Sequence, residues 1–466
     1  MVTLWNHQRE AAARIASGEI QALWWQMRTG KTLAAIAGTD SGDRLIICPN
    51  SVKPTWLNDL KLWGQDAYVW GSGKKPKERP RNVVINYESL WRTELLGYGW
   101  DSIIWDESQR LQNPRTKLWA YIYSHLQDLC RARVVLLSGS PAPEGWHQLI
   151  TQAITATGQF CGILDPWEAL RAGWVYDDWS YKWVIQPGWD AKARAQLHQL
   201  GPSMTQAEAG INTRKVYQRM PVQAGPHEVR LWKATMKRNL EGAQLGMAAQ
   251  SCASGRNPET GETLSSTKLD AVAEWVLDAG QPTVILCRFT SSLHYLAGKL
   301  TKLRVGLIHG DDAGSAARGK VIQDYNDGLL DTLICNVATV KVGLNLSHAN
   351  ILVFAENSFS GEARIQAEER CTVMGKELVE ILDFVTDGDE LLGEIDDGIL
   401  SSVKDKQDFN LSTLREVCSE DLIRIGAEKY HTDWETFEST WTKDKGGEEF
   451  KRFGKYMIPS LIKENK

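Results

Sequence analysis

The chain has 466 residues, 42% of them apolar and 24% charged, which suits a soluble globular protein of two or three domains with a sizeable core. Its net charge of −5 excludes a surface that attracts nucleic acid as a whole, so any such binding needs a local basic groove. No apolar run approaches the ~18 residues of a membrane helix, and the start, Met1 to Gln8, does not read as a secretory signal. The eight cysteines include no Cys-x-x-Cys pair and read as reduced thiols of a cytoplasmic protein, without a structural zinc. Tryptophan is frequent, at 20 residues. The bland account is a core built with indole; the alternative is a set of platforms on which bases stack.

A helical pattern runs from Leu4-Trp5-Asn6-His7-Gln8 to Ala16. A glutamine at a helix start ahead of a phosphate loop can read an adenine edge, since its amide both donates and accepts. Taken alone, Gln8 reads as a surface residue. Next comes the apolar run Leu23-Trp24-Trp25, then Gln26-Met27-Arg28-Thr29-Gly30-Lys31-Thr32, then a helical run from Leu33 to Ala37. Strand, tight loop, Gly-Lys-Thr and helix make a phosphate cradle. Loop N–H groups point at a polyphosphate, the lysine ammonium reaches its outer oxygens, and the threonine hydroxyl ligates Mg²⁺. Trp25 stands where a first glycine is usual, so only the Gly-Lys-Thr half is strict.

Short apolar runs separated by helical patterns follow. Arg44 to Pro49 and Val83 to Tyr87 read as strands, and Val52 to Trp63 as a helix. The runs are continuous rather than alternating, which predicts a parallel sheet covered on both faces. Gly73 to Arg81 is a basic loop, solvated by default and otherwise a phosphate-backbone contact. Ser102 to Trp105 is a strand that ends in Asp106-Glu107. Beside a phosphate loop, Asp106 is the expected Mg²⁺ ligand and Glu107 the group that orients or deprotonates water. Val134 to Leu137 leads into Ser138-Gly139-Ser140-Pro141, whose hydroxyls can sense a terminal phosphate.

Residues 158–212 crowd Trp167, Trp174, Trp179, Trp183 and Trp189 into a stretch with little periodicity, read as an insertion. Lys215 to Val222 is expected to be a strand returning to the first domain. Residues 226–266 are expected to be a linker helix and, over Ser251 to Ser266, a mobile Gly/Ser/Thr/Asn-rich link. A second strand–helix alternation begins near Thr267 and carries no phosphate loop of its own. The acidic stretch from Asp387 to Asp397 is expected to be solvated, and 410–466 to form a helical tail.

In this order the motifs resemble helicase superfamily 2, and most closely its Swi/Snf-like branch. Gln8 falls at the glutamine motif, Gln26 to Thr32 at motif I and Cys48-Pro49 at motif Ia. Asn86-Tyr87-Glu88 falls at the Tyr-Glu motif. Asp106 to Gln109 is a variant of the Asp-Glu-Ala-His box, followed by Arg110-Leu111-Gln112-Asn113-Pro114, and Ser138 to Pro141 is motif III. Val342-Gly343-Leu344-Asn345-Leu346 resembles motif V, and Gln366 to Lys376 resembles motif VI. There Gln366 and Arg370 keep their places, and the second arginine is Val373.

The resemblance implies an α/β protein of two RecA-like lobes, each a parallel sheet flanked by helices. The lobes are expected at 1–225 and 267–409, with ATP and Mg²⁺ in the cleft between them. It implies nucleotide contacts from Gln8, Gln26, Met27, Arg28, Thr29, Gly30, Lys31, Thr32 and Gly343, and metal ligation by Thr32 and Asp106. Catalysis is expected from Lys31, Glu107, Gln366 and Arg370, with Lys376, Arg364 or nothing standing in for the second arginine. The implied activity is DNA-stimulated ATP hydrolysis and translocation by a monomer in a bacterial or phage-infected cytoplasm. The alternatives are an RNA helicase and a non-catalytic nucleic-acid-binding scaffold.

Overall fold

The computed structural model describes residues 3–71, 78–143, 145–177, 182–238, 242–310, 315–340, 345–358, 360–387, 392, 396–402 and 404–405. These fall into two compact units, one reaching to Ala209 and the other spanning Gly210–Gln407. Gly343 and the expected tail at 410–466 lie outside the described residues, as does most of the basic loop.

The first unit runs α1 (Asn6–Ala16), β1 (Ala22–Trp25), α2 (Lys31–Gly38), β2 (Arg44–Cys48), α3 (Lys53–Leu62), β3 (Tyr68–Val69), β4 (Asn82–Asn86), α4 (Tyr87–Leu90) and β5 (Ser102–Asp106). It continues through α5 (Lys117–Ser124), α6 (Leu126–Arg131), β6 (Arg133–Leu137), α7 (Leu149–Thr157), α8 (Pro166–Gly173), β7 (Trp174–Asp177), β8 (Lys182–Ile185), α9 (Trp189–Leu200) and β9 (Ser203–Met204). Among the described residues its main sheet has the order β3-β4-β2-β5-β6-β1-β9, with every pair parallel.

The continuous apolar runs are explained by two cores, one on each face. Trp24, Ile47, Ile85, Trp105 and Leu136 point into one, and Trp25, Ile46, Val84, Ile104 and Leu137 into the other. Successive strand residues alternate sides, so a strand covered on both faces must be apolar throughout. The indole question is largely answered here: Trp24, Trp25, Trp56, Trp105, Trp119 and Trp174 are buried core residues.

The Trp-rich insertion is more ordered than its sequence suggests. It forms α8, the β7–β8 hairpin, α9 and β9, and Phe160, Ala169, Trp174, Leu197 and Leu200 join the core. β9 pairs with β1, and the Trp24 indole N–H donates to Leu197 O at 2.8 Å. Its apolar residues face an existing sheet, so neither helical nor strand periodicity shows in isolation.

The second unit runs β10 (Arg214–Gln223), α10 (Pro226–Thr235), α11 (Gly242–Ala253), α12 (Thr267–Ala279), β11 (Thr283–Cys287), α13 (Thr290–Lys299) and β12 (Val305–Ile308). Then come α14 (Ser315–Asn326), β13 (Thr332–Asn336), α15 (Val337–Val340), β14 (Ile351–Phe354), α16 (Gly361–Cys371) and β15 (Leu378–Asp387). Its sheet is also parallel, in the order β10-β15-β14-β11-β13-β12.

Three expectations are corrected in this unit. The strand over Lys215–Val222 does not return to the first sheet. β10 pairs with β15 along all of Arg214–Gln223, because buried β15 needs a partner on each side. β10 is itself an edge strand, which is why it tolerates Lys215, Gln218 and Arg219. The segment Ser251–Ser266 is a packed turn. Cys252, Ala253 and Ser254 are buried, Arg256 bridges to Thr263, and Asn257 Oδ1 accepts from Glu259 N at 2.8 Å. Its polar composition reflects turn chemistry. The acidic stretch is not wholly solvated either: Asp396 is buried in an ion pair with Lys268 at 2.7 Å.

Candidate nucleotide site in the first unit

β5, β6 and β1 are parallel neighbours, so their carboxyl ends share one edge of the sheet. That edge brings together the loops carrying Gln26–Thr32, Asp106-Glu107 and Ser138–Pro141, as open α/β sheets do with their binding loops. The approach is tight. A Cβ on Gly139 would lie 3.3 Å from Trp25 O and 3.4 Å from Met27 N.

The phosphate loop has two residues in left-handed backbone, Arg28 at φ 66° and Gly30 at φ 84°. A Cβ at Gly30 would also lie 1.9 Å from Gln8 Nε2 and displace that amide. Arg28 has no such freedom, and a non-glycine residue in this region marks stored strain. Lys31 opens α2, and its ammonium donates to Trp25 O at 2.7 Å and Gln26 O at 3.2 Å, spanning the loop it closes. Trp25 thus serves the loop through its carbonyl while its indole fills the core, against the His7 ring at 5.3 Å.

Residues outside the motif hold this loop. His7 Nε2 donates to Thr29 O at 3.0 Å, and Gln8 Nε2 to Gly30 O at 3.2 Å. Gln8 Oε1 accepts from Trp5 N at 2.8 Å. Both ends of the expected adenine-reading amide are therefore engaged within the chain here. From the other side Gln206 N donates to Gln26 Oε1 at 2.7 Å and Gln206 Nε2 to Met27 O at 3.1 Å. His7 adjoins Gln8 and could have been suspected. Gln206 sits in the insertion and gave no signal.

The carboxylates are held as closely. Asp106 Oδ2 accepts from the buried Trp56 indole at 2.8 Å, and Oδ1 accepts from Glu107 N at 3.1 Å. Tyr87 OH donates to Asp106 O at 2.7 Å. Burial and the Glu107 charge push the Asp106 carboxyl up to about 6, against the opposing pull of Trp56 and the Lys31 ammonium. Glu107 has φ 55°, a second strained non-glycine residue on this edge. Its Oε2 accepts from Gln109 Nε2 at 2.8 Å, Gln109 Oε1 accepts from Ser138 Oγ at 2.7 Å, and Ser138 Oγ accepts from Ser140 N at 3.0 Å. Gln109, in the histidine position of the box, thereby links the carboxylate to the serine loop.

Mg²⁺ suits this donor set. Among the described residues no three His, Cys, Asp or Glu side chains gather to hold a metal. Mg²⁺ does not need such a cage, because it keeps waters and takes phosphate oxygens beside one or two protein ligands. A buried carboxylate disfavoured as an anion is where a hard cation binds to greatest effect.

The remaining expected residues lie in the second unit. α16 starts at a Ser360 cap and carries buried Gln366 and half-buried Arg370. Arg370 O accepts from Leu346 N at 3.3 Å, tying the helix end to the remnant of motif V. Neither stand-in for the missing arginine is available for another task. Arg364 is buried, donating to Asn357 Oδ1 at 2.9 Å, to both Asp383 oxygens and to Glu368 Oε1, with Phe354 under its guanidinium at 3.6 Å. Lys376 Nζ donates to Ser347 O at 2.8 Å and to Ala349 O.

Residues 267–375 match the helicase conserved C-terminal domain. The chain is 23% identical over 378 residues to the SWI/SNF-related matrix-associated actin-dependent regulator of chromatin subfamily A-like protein 1 of Xenopus tropicalis, covering 75% of this chain and 39% of that protein. It is 24% identical over 425 residues to Protein CHROMATIN REMODELING 4 of Arabidopsis thaliana, covering 75% of this chain and 18% of that one. The chain thus spans well under half of these relatives. The solved Sulfolobus solfataricus SWI2/SNF2 ATPase core in complex with dsDNA aligns with a TM-score of 0.41 and 16% identity, over 90% of this chain and 98% of that chain. The fold and motifs define a two-lobed α/β protein of the helicase type. Residues 267–375 carry the helicase conserved C-terminal domain, and the chain is similar to proteins of helicase superfamily 2 in its Swi/Snf-like branch.

Proposed function

We propose that this chain is an Mg²⁺-dependent ATPase that uses hydrolysis to move along DNA. Nucleoside triphosphate hydrolysis is the activity of that superfamily. The observation that carries the reading is the shared edge of β5, β6 and β1. It holds a strained phosphate loop, an ammonium and two carboxylates, one of them joined by hydrogen bonds to a serine loop.

In this reading Lys31 exchanges its two carbonyl partners for the outer oxygens of the triphosphate. The N–H groups of residues 26–32 surround those oxygens. Thr32 and Asp106 hold Mg²⁺, which supplies charge neutralisation at the phosphates. Glu107 orients the attacking water and accepts its proton, and Gln109 keeps the carboxylate aimed. Gln8 reads the adenine edge by giving up Trp5 N and Gly30 O. Arg370, with Gln366 one turn before it, is assigned to the charge that develops on the transferring phosphoryl group. The stretch around Gly343 is assigned to backbone contact with phosphate.

DNA is favoured over RNA because the matched relatives carry names of chromatin regulators and remodellers. Phosphate release measured without nucleic acid, and with single-stranded, duplex and branched DNA and RNA, tests the reading. Stimulation by DNA is expected. Stimulation by RNA alone would make the chain an RNA helicase, and no hydrolysis under any condition would make it a binding scaffold.

A further inference from the structure

A second cleft in the first unit is unused by this mechanism. It measures about 520 Å³, within the range of small-ligand sites. Its walls come from the segment after the acidic box (Gln112 to Arg115), from the start of α7 and from the start of α8. Ile150, Pro166 and Leu170 form an apolar floor, and the half-buried Trp167 indole supplies a flat wall. Arg115 stands over that indole, with its guanidinium 5.4 Å from the ring centroid. Thr151, 1% exposed, belongs to the lining, and its buried hydroxyl has no hydrogen-bond partner among the described residues.

No Asp or Glu belongs to the described lining. Of the acids on α8, Asp165 is occupied in capping the helix, accepting from Trp167 N at 2.9 Å and Glu168 N at 2.8 Å, and Glu168 is exposed to solvent. A second indole is capped by cations: Trp91 has Lys117 at 5.1 Å and Arg92 at 4.7 Å from its ring. Half-buried tryptophans interleaved with exposed cations are the elements of a single-strand track, in which rings take bases and cations take phosphates.

We infer that this cleft binds one unstacked nucleotide, its base against Trp167 and its phosphate on Arg115. The base covers the apolar floor and stacks on the indole. Arg115 is exposed and can swing from the ring to a phosphate as the base enters. For a nucleotide within a strand this rests on the DNA-stimulated ATPase reading; the same chemistry also accepts a free nucleotide.

The test compares the full chain's affinity for a single-stranded oligonucleotide with that for an abasic oligonucleotide of equal length and charge, by fluorescence anisotropy. A labelled deoxyadenosine monophosphate is titrated in parallel. Wild type is expected to prefer the base-bearing strand by about tenfold. Trp167→Ala should remove the preference while leaving abasic affinity and DNA-free ATP turnover unchanged, and Trp167→Phe should restore part of it. Saturable monophosphate binding lost in Trp167→Ala, without any strand preference, would assign the cleft to a free nucleotide. Equal affinity for both strands together with no monophosphate binding overturns the inference. A chain that turns over ATP but binds neither strand would instead remove DNA as the track, so the two readings fail separately.

Discussion

The two sheets carry their charges in opposite ways. At the carboxyl edge of the first, Asp106 is pushed up to about 6 by burial and by Glu107, and Arg28 and Glu107 sit in strained backbone. In the second, burial alone would raise Glu368, but Lys215 and Arg364 outweigh it and push the carboxyl down to about 2. Arg364 is likewise held above its ordinary value: burial would lower it, and Asp383 and Glu368 prevail. The first unit holds the buried Asp106 carboxylate on neutral donors, Trp56 and Glu107 N, where a cation can complete it. The second neutralises charge internally and uses it to fix α16 on β10, β14 and β15. A charged residue in a motif is therefore not by itself a functional one. Arg364 shows this, since the fold has already used it between Asp383 and Glu368.

The comparison breaks most readily at Lys31. Lys31→Ala should abolish ATP turnover while leaving the fold intact; normal turnover would remove the phosphate-loop assignment. Arg364→Met should leave Asp383 buried without its cation and Glu368 with Lys215 alone, and destabilise the second unit by about 3–5 kcal/mol. Denaturant unfolding read by hydrogen exchange should place the loss in β14, β15 and α16. Protection there equal to wild type would mean the network is not structural. His7→Ala and Gln206→Ala each remove support from the loop and should raise KM for ATP about 2–10-fold, the scale of one or two net hydrogen bonds. An unchanged KM in both would show that the loop needs neither flank.

The smallest effect sharpens the pH behaviour. Asp106 binds its proton more tightly folded than unfolded, so the native state holds more protons between its ordinary value of 3.8 and about 6. Its contribution to stability therefore falls as pH rises through that window, whereas metal binding, which needs the anion, grows. Mg²⁺-dependent turnover should decline below about pH 6, and Trp56→Phe, which removes a donor to the carboxylate, should move that decline to higher pH. A profile identical to wild type would exclude Asp106 as the titrating group. Glu368 behaves oppositely: its contribution is full above 4.5 and is lost as pH falls toward about 2.

Local order in the chain carried most of the fold. The continuous apolar runs announced the first parallel sheet and the strand–helix alternation the second, and the Gly-Lys-Thr loop and acidic pair stood out because each is a strand with the residues that end it. What was hidden depends on distant partners. β10 has an edge-strand sequence, and only the need of β15 for a second neighbour assigns it. Gln206 supports a loop far from it in sequence, and the Trp-rich insertion shows its order only against the sheet it covers. Gln8 was visible from its place before the loop, while the engagement of both ends of its amide was not.

The most direct measurement is ATP binding and single-turnover hydrolysis by Glu107→Gln. Gln109 would retain a polar partner, and Asp106 would lose a neighbouring negative charge, so the loop should bind ATP about as well as wild type. Hydrolysis should slow by at least ~100-fold, the scale of losing a positioned base. Hydrolysis at the wild-type rate would contradict the account and move the chemistry away from this edge of the sheet.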